Sequence, residues 1–380
     1  MKITEVEPIR VGPYLFVRIH TDAGTTGLGE AGAWAHPEAT TRAIAGFERQ
    51  LLGTDPLRIR HHFQALYRNA HFRGAVVTAA LSAIDIALWD IAGKYNNVPV
   101  YELLGGPTRT KARAYPWVLG ETTEELVAGA ERMVDEGFTA IGHLNPLTDH
   151  DRSEPYFETH SQRITAAVER VGMLREVVGP TVDLCLEIHR RLDPAEAIVL
   201  GRKLEEFTPM FYEDPTRPDN FDAMARIARK INLPIATGER LQTIHEFEML
   251  LSRDAVDYIR PDVCLVGGIT QAVKVAALAE ARYVDVVPHT PLSPIGLAAS
   301  LQLAAVIPNF AIQEYMYTGE EGDENERLIK DPITCEDGFL IIPDRPGIGV
   351  ELNGSAVESR TRSDRQKPTR LHEDGSVVDQ

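Results

Sequence analysis

The stretch Val182-Asp183-Leu184-Cys185-Leu186-Glu187-Ile188-His189 is a short apolar strand pattern that ends on ionisable side chains. A helical pattern follows it at 194–206, and the next apolar stretch, 210–212, again ends on a carboxylate, Glu213. Short apolar strands that alternate with helical segments are typical of parallel α/β folds. The pattern therefore predicts a strand–helix unit that repeats along this part of the chain.

The unit repeats between about residue 111 and residue 325. Eight predicted strands lie in this region, at 112–118, 140–144, 182–188, 210–212, 235–236, 258–259, 285–288 and 311–312. Eight such units within about 200 residues match the size of a (β/α)₈ barrel. A doubly wound sheet is the alternative that the pattern alone leaves open.

The residues on either side of the repeat have different patterns. Residues 1–35 alternate apolar and polar side chains and predict an antiparallel hairpin or meander. Residues 38–104 predict helices, and the helix around 79–92 is apolar on most of its surface, so we expect it to be buried. We therefore predict an α+β capping domain at 1–110, the barrel at 111–325, and a C-terminal segment at 326–380 that packs back on the cap. The polar end of that segment is either a loose tail or an arm on the cap.

Composition excludes several classes of protein. The formal net charge of the 380 residues is −17 and no basic patch is present, which argues against nucleic acid or an anionic membrane as partner. The chain contains no run of eighteen apolar residues, so no membrane span is expected. Three widely separated cysteines, Cys185, Cys264 and Cys335, suggest neither a disulfide framework nor a zinc site. With no signal-peptide pattern at the N-terminus, a cytoplasmic location is expected.

Ionisable residues end six of the predicted strands at intervals of 23 to 27 residues. They are Glu187, Glu213, Glu239, Asp262, His289 and Glu314. In a barrel the carboxyl ends of all strands face one mouth, so these side chains are expected to converge there. A single acidic residue after a strand is more often a helix cap or a loop charge, but six in register with the repeat are hard to explain in that way.

Three of these residues, Glu187, Glu213 and Glu239, follow neighbouring strands and offer only carboxylate oxygens. Such a hard-oxygen site predicts Mg²⁺, which keeps open positions for the oxygens of a substrate. Without a metal the carboxylates would repel one another, and at least one would stay protonated. Zinc is disfavoured because no set of Cys and His ligands accompanies them.

Two histidines are expected beside this metal. Side chains two apart on a strand share a face, so His189 is predicted to lie on the same side as Glu187, although a structural histidine is the alternative. His289 ends the seventh strand, and Asp262 at the end of the sixth is within reach to orient its imidazole. A base, a metal that stabilises an enediolate, and an acid that protonates a leaving β-hydroxyl suit proton abstraction next to a carboxylate.

The chain resembles the enolase superfamily, and within it the mandelate racemase subgroup with its galactonate and related sugar-acid dehydratases. The segments that carry the resemblance are DIALWDIAGK (85–94), VPVYELLGG (98–106), YEDP (212–215), GER (238–240), RPD (260–262), GGIT (267–270) and PHTPLSPIG (288–296). The resemblance implies a (β/α)₈-type barrel with an α+β cap, a small-molecule substrate and a homo-oligomer.

The resemblance also implies a role for each residue that matches a family motif. The implied metal ligands are Glu187, Glu213 and Glu239, the base is His189, the acid is His289 with Asp262, and Glu314 lies near the substrate carboxylate and the metal. By analogy, substrate contacts are expected from His143 and Asn145 after the second strand and from Trp34 and Arg73 in the cap. His143 is equally compatible with a loop residue, and Trp34 with core packing.

Two positions depart from the usual family pattern. The first ligand is usually Asp, and Glu187 is one methylene longer, which could shift the metal or favour Mn²⁺. The second strand often ends with a lysine, whereas residues 141–146 contain none, which disfavours a lysine-based racemase.

The favoured function is dehydration of an aldonate such as galactonate, gluconate or xylonate to a 2-keto-3-deoxy acid. A racemase or epimerase of a 2-hydroxy acid through the same enediolate is the alternative. A non-catalytic metal-binding scaffold is disfavoured because both histidines and all three carboxylates are present.

Overall fold

The computed structural model describes residues 1–34, 36–120, 122–147, 154–317, 326–359 and 369–378. Ala35, which follows the predicted substrate contact Trp34, lies outside these residues. Residues 360–368 and 379–380 of the predicted C-terminal segment also lie outside them.

The N-terminal region is an antiparallel meander covered by helices. Its elements are β1 (Ile3–Val11), β2 (Tyr14–Thr21), β3 (Thr26–Ala31), α1 (Pro37–Leu51), α2 (Ile59–Asn69), α3 (Ala75–Asn96) and α4 (Val100–Leu103). The strands pair antiparallel in the order β1-β2-β3, which is the predicted meander. Within the described residues, α3 alone is long and apolar enough to cross a membrane, but 78% of that stretch is buried. It is the central helix of the cap core.

Glycines allow α3 to pack closely on β3. A Cβ on Gly29 would overlap the carbonyl oxygen of Ala83, whereas a Cβ placed on Gly46 in α1 would have no described atom within 4 Å beyond its chain neighbours and the backbone of its own helix. We expect Gly29→Ala to lower the free energy of unfolding by about 1–3 kcal/mol, the usual cost of overpacking. Gly46→Ala is the control and should be neutral or stabilising by up to about 1 kcal/mol. Denaturant unfolding measures both, and equal stabilities would contradict this packing.

The central part of the chain is a ring of parallel strands. The strands are β4 (Lys111–Pro116), β5 (Ala140–Leu144), β6 (Asp183–Glu187), β7 (Phe211–Glu213), β8 (Ile235–Thr237), β9 (Tyr258–Ile259), β10 (Asp285–Val286) and β11 (Gln313–Tyr315). Neighbours from β5 to β10 pair in sequence order, and β11 pairs with β4. Single bridges, Trp117 to Gly142 and Val286 to Phe310, close the ring. This is the predicted barrel, and it excludes a doubly wound sheet.

Helices lie between the barrel strands, as the sequence pattern predicts. They are α5 (Thr123–Asp135), α6 (His160–Val178), α7 (Pro194–Leu204), α8 (Phe221–Ala228), α9 (Ile244–Leu251), α10 (Gly268–Glu280) and α11 (Pro294–Val306). Local sequence sets where they begin: Thr122 and Glu125 form a reciprocal capping box at the start of α5.

The last barrel strand begins later than predicted. The amide of Ala311 donates to the oxygen of Val286 in β10, whereas the ladder with β4 begins only at Gln313. Apolar character marked residues 311–312 as the strand, but pairing with β4 moves it to polar residues that the pattern did not include.

Buried apolar side chains, large and small, fill the inside of the ring. The inner cluster is formed by Tyr115, Ala140, Cys185, Phe211, Ala236, Val287 and Ile312. The barrel is therefore a packed core rather than a pore, and polar side chains converge at the carboxyl ends of its strands.

The C-terminal segment contacts both regions. Its elements are β12 (Cys335–Glu336), β13 (Phe339–Ile341), α12 (Gly354–Ser359), β14 (Arg370–Leu371) and β15 (Val377–Val378). β13 pairs antiparallel with β4, and the amide of Ile348 donates to Asp90 of α3 at 2.9 Å. The β14–β15 hairpin contacts the barrel through a bridge between His372 and Tyr156. The three domain boundaries given above stay a prediction.

Candidate active site

Three carboxylates converge at the mouth of the barrel. Glu187 and Glu213 are the last residues of β6 and β7, and Glu239 follows β8. One oxygen from each side chain lies within 4.8 Å of the corresponding oxygen of the other two. Glu187 and Glu213 are only 3% and 2% exposed. The longer side chain of Glu187 therefore still brings an oxygen to the cluster.

The charges of the cluster favour a bound cation. Burial, and then repulsion from Glu239 and Asp214, raises the pKa of Glu187 to about 8. Burial raises the pKa of Glu213 well above its usual value, although Arg260 acts to lower it. One of these carboxyls therefore keeps its proton near neutral pH unless a cation replaces it. Carboxylate oxygens are the donors that Mg²⁺ and Mn²⁺ prefer, so the residues fit such an ion.

A buried guanidinium lies beneath the cluster. Arg260 is 1% exposed, and it contacts Glu213 through Nη1 and Glu314 Oε2 through Nη2 at 2.5 Å. Glu314 also accepts hydrogen bonds from the Thr290 amide at 2.8 Å and from Trp117 Nε1 at 3.0 Å. Both oxygens of Glu314 are thus engaged with protein donors, and its contact with the substrate stays a prediction.

A second guanidinium holds the third carboxylate. Arg240 Nη2 lies 2.5 Å from Glu239 Oε1, and its Nη1 contacts Asp214, which also accepts from the Thr237 hydroxyl. Burial acts to raise the pKa of Glu239, but Arg240 and nearby histidines outweigh it, and the pKa lies below its usual value. Glu239 is therefore ionised, and its orientation is set by Arg240.

His289 lies where the sequence predicts it, between an aspartate and the cluster. Its Nδ1 is 3.1 Å from Asp262 Oδ2, and its Nε2 is 3.3 Å from Glu239 Oε2. Burial acts to lower the pKa of His289, but Glu239 and Asp262 outweigh burial and leave the pKa above its usual value. Asp262 is fixed in turn by the amide of Cys264 at 2.7 Å. The arrangement favours an imidazole that can give up a proton from Nε2.

His189 reaches the cluster through a turn. β6 ends at Glu187, and His189 has a left-handed backbone with φ 58°. The predicted shared strand face is therefore wrong, because the strand ends before His189. The residue still lies beside the cluster, since its amide donates to Glu187 Oε1 at 2.5 Å. Burial lowers the pKa of His189 well below its usual value, so the ring is neutral and able to accept a proton.

The end of β5 places a third histidine on the same side. The ring of His143 stacks on Trp117 with centroids 4.2 Å apart and meets His189 edge-on at 6.1 Å. Burial lowers the pKa of His143 as well. Asn145 accepts a hydrogen bond from the amide of Leu147 at 2.9 Å, so its oxygen supports the turn after β5.

The two cap residues predicted to contact the substrate lie in different places. The ring of Trp34 is 5.5 Å from that of His289, so the cap does reach the site there. Arg73 is exposed, and its guanidinium lies 3.9 Å from the centroid of the Tyr67 ring. It also donates to the main-chain carbonyl oxygen of Tyr67 at 3.0 Å. The described contacts of Arg73 are thus with the cap itself.

Comparison with known proteins places this architecture in a family. The model of the mandelate racemase/muconate lactonizing enzyme N-terminal domain matches residues 4–105, and the enolase C-terminal domain-like model matches residues 125–356. The chain belongs to the mandelate racemase/muconate lactonizing enzyme family. The resemblance predicted from its motifs is thereby confirmed.

Relatives within the mandelate racemase/muconate lactonizing enzyme family match the whole chain. D-galactonate dehydratases from Verminephrobacter eiseniae and Ralstonia pickettii are 37% and 36% identical over 100% of both chains. A solved enolase from Agrobacterium radiobacter, described as a candidate galactarate dehydratase with bound sodium and L-malate, has a TM-score of 0.93 and 31% identity over 100% of both chains. A family member from Roseovarius sp. TM1035 has a TM-score of 0.90 and 30% identity over the same coverage.

Sequence reasoning did not assign several residues of this family site. They are Trp117, Asp214, Arg240 and Arg260. Arg240 and Arg260 lie one or two residues from the predicted strand-end carboxylates Glu239 and Asp262, in the motifs GER and RPD. A cation so close to a buried carboxylate could have been predicted as its partner from the sequence. Trp117 carries no comparable signal, because an aromatic residue after a strand is usually packing.

Proposed function

We propose that the protein removes water from an aldonate such as galactonate, gluconate or xylonate to give a 2-keto-3-deoxy acid. One observation carries the proposal: His189, whose pKa is lowered by burial, and His289, which is held by Asp262, lie beside the same cluster of buried carboxylates. The broader prediction, a sugar-acid dehydratase of the hydro-lyase class, is confirmed by the full-length similarity to D-galactonate dehydratases.

The carboxylates Glu187, Glu213 and Glu239 would hold one divalent ion, for which we propose Mg²⁺ with Mn²⁺ as an alternative. When bound, the ion supplies positive charge that offsets the charge developing on the substrate carboxylate as the C2 proton leaves. Arg240 and Arg260 keep the ligands in place by binding Glu239 and Glu213.

Proton transfer is assigned to the two histidines. His189, neutral because it is buried, accepts the proton from C2. His289 donates its proton to the C3 hydroxyl, which leaves as water as the C3–O bond breaks and a C2–C3 double bond forms. Asp262 holds Nδ1 of His289, so that Nε2 faces the reacting groups. The enol product then becomes the 2-keto-3-deoxy acid by moving a proton to C3.

Racemisation or epimerisation at C2 is the second candidate, because it begins with the same proton removal. His189 follows β6 and His289 follows β10, so the two histidines approach from different strands. This candidate is favoured if they act on opposite faces of C2. A screen of sugar acids with Mg²⁺ separates the two. A keto-acid reagent should detect 2-keto-3-deoxy products, whereas inversion at C2 without keto acid would support the racemase.

The reaction requires hydroxyls at both C2 and C3 of the substrate. We expect a 3-deoxy analogue of an accepted sugar acid to give no keto acid, because it has no group for His289 to protonate and release. The analogue should still compete with the substrate, since its carboxylate is intact. Product formation from the analogue at the rate of the parent acid would make dehydration the wrong reaction.

We also propose a cytoplasmic homo-oligomer without nucleic-acid or membrane partners. The net charge of −17 disfavours anionic partners. Light scattering of the purified protein tests the oligomer, and a mass equal to the 42.1 kDa chain would contradict it.

A further inference from the structure

A buried carboxylate of the cap joins the cap to the barrel close to His289. Glu30 lies in β3 and is 0% exposed. Its Oε2 accepts hydrogen bonds from the Ser293 hydroxyl at 2.6 Å and from the Gly296 amide at 2.8 Å, and its Oε1 accepts one from the Ser293 amide at 3.3 Å. Glu30 thus binds three donors at the beginning of α11, in the other region of the molecule.

The two sides of this contact lead to residues of the site. Trp34 follows Glu30 by four residues, and His289 precedes Ser293 by four residues. The rings of Trp34 and His289 lie 5.5 Å apart. Glu30 therefore joins the loop that carries Trp34 to the loop that carries His289, and the side chain of Trp34 lies against this proposed acid.

A main-chain contact reinforces the same connection. The amide of Gly32 donates to the oxygen of Cys264 at 2.8 Å, and the amide of Cys264 donates to Asp262 Oδ1 at 2.7 Å. A Cβ on Gly32 would lie 3.1 Å from that oxygen, so the cap loop passes very close to the barrel. The cap is in this way bonded to the segment that orients His289.

We propose that Glu30 is a positioning residue for the acid step: it holds the cap loop that carries Trp34 against His289 and so sets the imidazole that protonates the C3 hydroxyl. The inference rests on the proposed function. It separates the two proton transfers, because His189 lies after β6, where its described contacts are with Glu187 and His143. Loss of the Glu30 contact should therefore impair water release more than removal of the C2 proton.

The test compares Glu30→Gln with Glu48→Gln. A glutamine at position 30 has only one oxygen acceptor for three donors, and its amide group must face one of them. Glu48 is the matched control, because it accepts a cap hydrogen bond from the amide of Val6 at 3.4 Å. Both variants thus lose one cap carboxylate, but only Glu30→Gln changes the contact with α11.

Two readouts are expected to change in Glu30→Gln and not in Glu48→Gln. The first is the emission of Trp34, which depends on the neighbouring imidazole; the chain has three tryptophans, so the difference from the matching Trp34→Phe protein isolates it. The second is kcat for dehydration, expected to fall about 10- to 100-fold, as for other outer groups that orient a reacting side chain. KM should stay near the wild-type value, and C2 proton exchange should persist or rise, because an enediolate that loses water more slowly returns to the substrate more often.

Ser293→Ala examines the contact from the barrel side. If the two residues act through one contact, the double variant should lose little more kcat than the worse single variant. If Glu30→Gln does not fold, Ser293→Ala alone tests the proposal: it removes the hydroxyl that donates to Glu30, so kcat and Trp34 emission should change in the same direction.

Unchanged Trp34 emission and kcat in a folded Glu30→Gln protein would overturn the proposal. A parallel loss of C2 exchange and dehydration would overturn the assignment to the acid step. If the wild type dehydrates no sugar acid, the proposed function fails, while Trp34 emission still decides whether Glu30 sets the Trp34–His289 pair.

Discussion

Replacing Glu213 by Gln is expected to abolish dehydration and to weaken binding of a divalent cation at the same time. A neutral amide is a poorer ligand for a hard dication than a carboxylate, and the cluster loses one of its three negative charges. We expect activity to fall by about 10²-fold or more, the loss seen when a group that stabilises transition-state charge is removed. Titration with Mn²⁺, followed by the paramagnetic signal of the free ion, measures binding without any assay of activity.

Two variants control this experiment. Glu213 also contacts Arg260, so Glu239→Gln, which keeps the Arg260–Glu213 contact, tests the same ligand set. Because Glu239 also lies 3.3 Å from His289 Nε2, its Mn²⁺ affinity rather than its activity is the comparison. Glu248→Gln removes a carboxylate of α9 that lies outside the cluster and pairs with Arg282 at 2.9 Å, and it should leave activity intact. Wild-type protein treated with a chelator should be inactive until Mg²⁺ is restored. Full activity in the chelated protein would disprove the metal assignment.

The sequence predicted the fold because its signals are local and repeated. Each strand–helix unit shows its own change of pattern, and the chain shows eight of them in succession, so errors of a few residues at β10 or β11 did not change the architecture. Closure of the ring was implied by the number of units and by the family resemblance. The bridges of Trp117 and Val286 that close it depend on pairing over long separations, which no local pattern encodes.

The sequence predicted the charged ligands better than the groups around them. Glu187, Glu213 and Glu239 repeat with the barrel unit, so their convergence follows from the fold alone. Arg260 and Trp117 act through partners 47 to 197 residues away in the sequence, and only the folded chain shows that both bind Glu314 and that Arg260 also binds Glu213. The turn geometry of His189 was also hidden, because a positive φ at a non-glycine residue leaves no mark in an apolar pattern.

The two histidines should be separable by isotope exchange. In His289→Asn the base is intact, so in deuterated water the substrate should exchange its C2 proton without forming keto acid. Asn is also a good choice at position 189, because it tolerates the left-handed backbone found there. His189→Asn should neither exchange nor dehydrate. General acid or base help is worth about 10²–10⁴-fold, so slow residual turnover in either variant is compatible with these roles.

Exchange of the C2 proton reports on His189 only if the proton that His189 has accepted reaches solvent before it returns to C2. The electrostatics of the site favour this, because burial holds the pKa of His189 well below its usual value and its protonated form is therefore short-lived. His289 has the opposite balance, with Glu239 and Asp262 stabilising its protonated form. The His189 ring thus readily loses a proton that it has accepted, whereas the His289 ring keeps a proton that it can donate. C2 exchange that persists in His189→Asn and vanishes in His289→Asn would reverse the assignment, and the substrate would then lie with its opposite face toward β6.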